Sequence, residues 1–175
     1  MGPHVVVMGV AGCGKSAVGR RLAAQLGLTL IEGDDFHSAA NLAKMKRGLP
    51  LNDEDRADWL QALGRQLASQ SAGVLSCSAL KRAYRDTLRA AVPDARFVHL
   101  AITQTEALRR VSLRADHFYP PSLVASQFEA LQAPHGAPHS EPYALTLDGS
   151  ADLDELARQA VQWLRSELSA QAARG

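Results

Sequence analysis

Cysteine is scarce in this chain of 175 residues: there are only Cys13 and Cys77, too few for a disulfide framework, which fits a reducing compartment. A surplus of charge is missing as well. The 19 basic and 18 acidic residues leave a formal charge of +1, with no electrostatic footprint for nucleic acid or an anionic membrane. No apolar run approaches the roughly 20 residues that cross a bilayer. The short apolar run at the start ends at Gly9 without a basic leader, so no signal peptide and a cytoplasmic location are expected. Internal repeats and interdomain linkers are also absent. What remains, 46% apolar and 21% charged, is ordinary globular composition of a length suited to one domain.

Five short runs read as buried strands: His4 to Met8, Thr29 to Glu32, Gly73 to Cys77, Arg96 to Ile102 and, more weakly, Tyr143 to Leu147. Helical spacing separates them, the alternation of an α/β chain with a parallel sheet. Val18, Leu22 and Leu26 form one apolar stripe that stops at Gly27; Trp59, Leu60, Leu63 and Leu67 form a second behind an acidic first turn from Asp53. Leu153, Leu156, Ala160, Leu164 and Leu168 form a third. All three suit helices that face a core. Ala133 to Pro142 reads as a loop. The domain is expected over residues 1–170, with 171–175 as a C-terminal tail that frays from Ala170.

The motif with the most chemical content lies between the first strand and first helix. Gly9-Val10-Ala11-Gly12-Cys13-Gly14-Lys15-Ser16 fits G-x-x-x-x-G-K-[ST]. Its glycines let backbone N–H groups turn inward, where they and the helix N-terminus, including Ala17, hold phosphate oxygens. Lys15 bridges the outer phosphates, and the Ser16 hydroxyl suits the Mg²⁺ that accompanies a nucleotide. Cys13 occupies a tolerant position, where a small loop residue is ordinary and a thiol adds sensitivity to oxidation.

A phosphate cradle is common to hydrolases, switches and kinases. Two further strand ends bear on the choice. Glu32-Gly33-Asp34-Asp35-Phe36-His37 puts carboxylates beside the cradle, although Gly-Asp pairs are also turn chemistry. Cys77-Ser78-Ala79-Leu80-Lys81 leads into Arg85, four residues beyond Lys81 on the same expected face, suited to an anionic acceptor or to solvent. Arg110 and Arg114 repeat the spacing further on, again compatible with surface ion pairs.

These segments, together with Asn41, Lys44-Met45, Gly48 to Arg56, Trp59-Leu60, Tyr84-Arg85-Asp86, His117-Phe118, Ser126-Gln127-Phe128-Glu129, Leu131 and Pro134, resemble the gluconate kinase family in order along almost the whole chain. Ser38, Asp58 and Ala133 depart from its pattern. The resemblance implies an α/β three-layer P-loop kinase fold of the shikimate-kinase type, with a five-stranded parallel sheet and helices on both faces. It implies ATP and Mg²⁺ as co-substrates, D-gluconate as acceptor and possible pairing as a homodimer. By resemblance, Asp34 is the base or orienting carboxylate and Glu32 stands near the metal with Ser16. His37, Arg56, Lys81 and Arg85 bind the sugar acid. Lys15, Arg85 and Arg114 act in transfer. Arg110 faces the adenine side and Arg114 the phosphates, at the start of a mobile lid around 110–135. Shikimate or a nucleotide as acceptor, simple hydrolysis, and a non-catalytic nucleotide-binding module are the alternatives.

Overall fold

The computed structural model describes residues 2–114, 119–134 and 141–173. Five parallel strands, β1 (His4–Met8), β2 (Thr29–Glu32), β3 (Gly73–Ser76), β4 (Arg96–Ala101) and β5 (Ala144–Asp148), form one sheet in the order β2-β3-β1-β4-β5. The helices between them are α1 (Lys15–Leu26), α2 (Ala39–Lys46), α3 (Asp53–Ala68), α4 (Arg82–Ala91), α5 (Gln104–Ser112), α6 (Val124–Ala130) and α7 (Leu153–Ala172). Short 3₁₀ turns occupy Gly33–Phe36 and Pro121–Leu123.

Strand β1 shows why three layers form. Its side chains alternate across the sheet. Val5 and Val7 join Val18 and Leu22 of α1 and Leu156 and Leu164 of α7 on one face. Val6 and Met8 join Leu63 and Leu67 of α3 and Leu88 of α4 on the other. With both faces covered, the strand reads as one continuous apolar run. Its neighbours are β3 on one side and β4 on the other, so the chain leaves β1 at the point where the winding of the sheet reverses. Ligands bind at the carboxyl edge of such a sheet beside that point.

Local chemistry sets the helix ends. Gly27 closes α1 in the left-handed conformation, its N–H donating to the Ala23 carbonyl. A reciprocal capping box of Asn52 and Asp55 starts α3, behind which Asp53 and Glu54 complement the helix dipole. Ser38 caps α2, accepting from Asn41 N–H at 3.1 Å, so this departure from the family pattern starts a helix.

Two expectations need correction, and two short helices are additions. Residues 171 and 172 do not form a tail: α7 runs to Ala172, and Gln171 Oε1 accepts from the buried Arg96 Nη2 at 2.6 Å. A guanidinium enclosed at the start of β4 needs an acceptor, and the last turn of α7 supplies it. Strand β5 begins at Ala144 because Tyr143 is left-handed, with φ 54°. The short helices α2 and α6 were not foreseen, since neither spans enough turns to display a stripe. Of the expected lid at 110–135, residues 115–118, with His117 and Phe118, and residue 135 lie outside the described residues, as do most of the expected loop and residues 174 and 175.

Candidate active site

A cleft of about 570 Å³ opens at the carboxyl edge of β1, β2 and β3. The cradle forms one side of it. Gly9 at φ 149° sits where an added Cβ would come within 2.7 Å of Cys13 Sγ and 2.9 Å of the Leu100 carbonyl, so the turn requires glycine. Helix α1 starts directly after Gly14, and the first intrahelical acceptor is used by Val18 N–H at 3.0 Å. The N–H groups of Lys15, Ser16 and Ala17 therefore have no partner within the helix, the arrangement that suits an anion. Ala11, Gly12, Gly14, Lys15, Ser16 and Ala17 line the cleft. Gly9, Val10 and Cys13 form the buried back of the loop.

At the end of the cradle, Ser16 Oγ donates to Glu32 Oε2 at 2.9 Å, bringing two hard oxygen donors together at the start of α1 and the end of β2. Asp34 and His37 follow from the turn after β2. The His37 ring is stacked on Trp59 of α3, centroids 4.3 Å apart and planes at 11°, and Trp59 Nε1 donates to the Gly33 carbonyl at 2.8 Å. Helix α3 thus holds this turn in place. The His37 side chain is only 4% exposed, with Nε2 3.9 Å from Asp34 Oδ1. Burial lowers its pKa, nearby Asp34 opposes that and Arg56 reinforces it; the net shift is downward and the ring is neutral at pH 7.

Four cations (Lys15, Arg20, Arg56 and Arg114) and three carboxylates (Glu32, Asp34 and Asp35) line the cleft. Their surroundings differ. Arg20 pairs with Glu32 at 3.2 Å. Arg56, on α3, is 9% exposed, yet no carboxylate lies within ion-pair distance of it among the described residues. Its guanidinium carbon lies 5.6 Å from the centroid of the Tyr84 ring. A buried cation without an anion is costly, and the cleft offers the space for one.

A family model described as shikimate kinase matches residues 11–165. The chain is 40% identical over 171 residues to the thermosensitive gluconokinase of Escherichia coli (strain K12), covering 94% of this chain and 90% of that one. The family is gluconokinase: this chain belongs to it. The solved structure of a gluconokinase from Sinorhizobium meliloti 1021 superposes with a TM-score of 0.89 at 40% identity, covering 99% of this chain and 97% of that one. A shikimate kinase from Acinetobacter baumannii, solved in complex with shikimate, superposes at 0.59 with 17% identity over 95% of each chain and shares the fold.

Against this frame of a gluconokinase-family chain, two expected acceptor residues stand elsewhere. Arg85 does not reach the cleft. It is fully buried, with Nε donating to Glu141 Oε2 at 2.8 Å, Nη2 paired with Glu141 Oε1, and further bonds to the carbonyls of Ala79, Leu80 and Gln132. All its donors are used by the protein, so neither the transfer role nor the sugar-acid role fits. Lys81 caps α4 in an extended conformation, so it does not share a helix face with Arg85. Its Nζ donates to Asp53 Oδ1 at 2.7 Å, and it lines a separate depression of about 200 Å³ that meets the main cleft at Arg56.

Arg114, just past α5, lines the cleft. Arg110 stands behind the cradle, Nη2 donating to the Gly149 carbonyl at 3.1 Å and Nε to Glu106 Oε1 at 2.6 Å. Both thiols are fully buried; burial pushes Cys77 up to about 12, and Cys13 is shielded from the oxidants to which an exposed loop thiol would be open. Tyr119 and Gln127, to which the sequence assigned no role, reach the cleft from the segment around α6. The Ser-Gln-Phe-Glu segment of the resemblance was the available signal, but it carried no chemical role.

Proposed function

We propose that this chain transfers the γ-phosphate of ATP to the 6-hydroxyl of D-gluconate, giving 6-phospho-D-gluconate and ADP. The observation that carries this reading is Arg56, a buried cation without a carboxylate partner among the described residues, placed in the same cleft as the cradle. An acceptor with its own carboxylate completes that pair; water does not. Membership of the gluconokinase family favours gluconate as that acceptor.

The nucleotide phosphates lie on the N–H groups of Gly12, Gly14, Lys15, Ser16 and Ala17, with Lys15 and Arg114 neutralising charge on the transferring group. The acceptor's carboxylate end lies toward Arg56 and its 6-hydroxyl toward Asp34, with neutral His37 donating to or accepting from a hydroxyl between them. The hydroxyl oxygen bonds to the γ-phosphorus as the bond to the β–γ bridging oxygen breaks. The proton passes to the Asp34 carboxylate, and ADP leaves with the bridging oxygen.

Among the described residues, no three metal-ligating side chains cluster. The adjoining Ser16 hydroxyl and Glu32 carboxylate nevertheless fit Mg²⁺, which takes few protein ligands and several from phosphates and water. Bound there, the ion would supply charge neutralisation at the β- and γ-phosphates.

The test is ADP production from ATP and Mg²⁺ with D-gluconate, other sugar acids, shikimate or nucleoside monophosphates, each against no acceptor. Turnover is expected to be low alone and to rise sharply with gluconate. Equal ADP production without an acceptor would refute transfer, and a stronger response to shikimate or a nucleotide would refute the acceptor.

A further inference from the structure

A side chain of α6 reaches across the cleft to the cradle. Gln127 Oε1, on α6, accepts from Ala11 N–H at 2.6 Å across 116 residues of sequence. Gln127 is 7% exposed and Ala11 equally enclosed, so water offers the amide little alternative. The loop around Ala11 turns on Gly9, Gly12 and Gly14, at φ 149°, 81° and 94°. Glycine's broad conformational range makes neighbouring peptide planes inexpensive to rotate, and a rotated plane points its N–H away from a phosphate. The hydrogen bond from Ala11 opposes that rotation.

Helix α6 is itself held on the acceptor side. Just beyond its end, Gln132 N–H donates to the Leu80 carbonyl at 2.9 Å and Gln132 Oε1 accepts from Arg82 N–H at 2.8 Å. Buried Arg85 Nη2 adds a bond to the Gln132 carbonyl at 2.8 Å. The loop after β3 returns to the cradle, where Gly9 N–H donates to the Ser78 carbonyl at 3.3 Å. Cradle, α6 and the loop after β3 therefore close a ring of hydrogen bonds, in which Gln127 supplies the contact between α6 and the cradle.

We propose that Gln127 is a positioning residue for phosphoryl transfer: through Ala11 N–H it fixes the cradle backbone in its phosphate-binding form and in register with the acceptor wall. This rests on reading the cleft as the ATP site. Gln127→Met keeps the length and packing of the side chain and removes the acceptor. Its kcat/KM for ATP should fall about 10- to 100-fold, as expected when a buried donor loses its partner, while KM for gluconate changes less than about threefold. Unchanged kinetics for ATP, or a loss confined to KM for gluconate, would overturn the proposal.

Amide hydrogen exchange of the wild-type chain tests the same contact without any variant. Ala11 should exchange at least about tenfold more slowly than Gly12, whereas equal rates would overturn it. Wild-type turnover of ATP with gluconate, in the same assay, tests the kinase reading separately, because protection of Ala11 does not depend on which acceptor is used.

Discussion

Replacing Arg56 by methionine removes a buried positive charge while keeping most of the side-chain volume, and its two effects run in opposite directions. In the free protein Arg56 is 9% exposed, lacks a carboxylate partner among the described residues and lies against Tyr84. Its removal strands no paired carboxylate among the described residues, so stability should hold or rise by about 1 kcal/mol, a Tm change of roughly 2 to 4 °C upward for a domain of this size. In the complex, a guanidinium–carboxylate contact disappears. Hydrogen bonds to charged groups contribute about 1.5–3 kcal/mol, so the KM for gluconate should rise roughly 10- to 150-fold. KM for ATP should stay within about threefold. A coupled ADP assay over a gluconate series, beside thermal unfolding of the same samples, gives both numbers. A gluconate KM within threefold of wild type, or a Tm lowered by more than about 5 °C, would show that Arg56 belongs to the scaffold.

Arg85→Met should behave in the opposite way: losing the buried partner of Glu141 is expected to cost about 3 kcal/mol by chemical denaturation, with the KM values of the folded protein nearly unchanged. A rise in the gluconate KM at full stability would restore Arg85 to the acceptor site. Glu141 itself adds an acid-labile contribution. Burial would raise its pKa, but hydrogen bonds from Arg85 and Arg89 outweigh this and hold it below the ordinary 4.5. With a lowered folded pKa, that stability is present above pH 4.5 and is lost as pH falls through the folded value. Glu141→Gln should therefore show a flatter fall in Tm than wild type below pH 4.5, and parallel curves would count against the pairing. Lys15→Ala and Asp34→Asn should each lower kcat by two orders of magnitude or more with normal unfolding curves. Near-normal turnover in Asp34→Asn would remove it from proton transfer.

Features carried by neighbours in sequence were legible without the fold. The cradle needs glycines, a lysine and a serine at fixed spacing between a strand and a helix, and all of that chemistry is local. The stripes of α1, α3 and α7 follow from helical periodicity, and the continuous apolar run of β1 from burial on both faces. The turn at Gly33–Phe36 emerged beside the cradle because both follow strands of one parallel sheet, at its carboxyl edge.

Which charge is free and which is paired was not local, and only tertiary structure decided it. Lys81, Arg85 and Arg56 looked alike as cations suited to an acid. Lys81 meets Asp53, 28 residues away, and Arg85 meets Glu141, 56 residues away, whereas Arg56 meets no carboxylate among the described residues. Similarly, Gln127 gained its contact with the cradle only when α6 packed beside Ala11. Sequence by itself determined that the chain has a phosphate cradle at the edge of a parallel sheet, because backbone conformation and periodicity depend on near neighbours. Packing alone determined which side chains are left for a ligand, because a buried charge or amide takes its role from whichever partner the fold brings within about 3 Å.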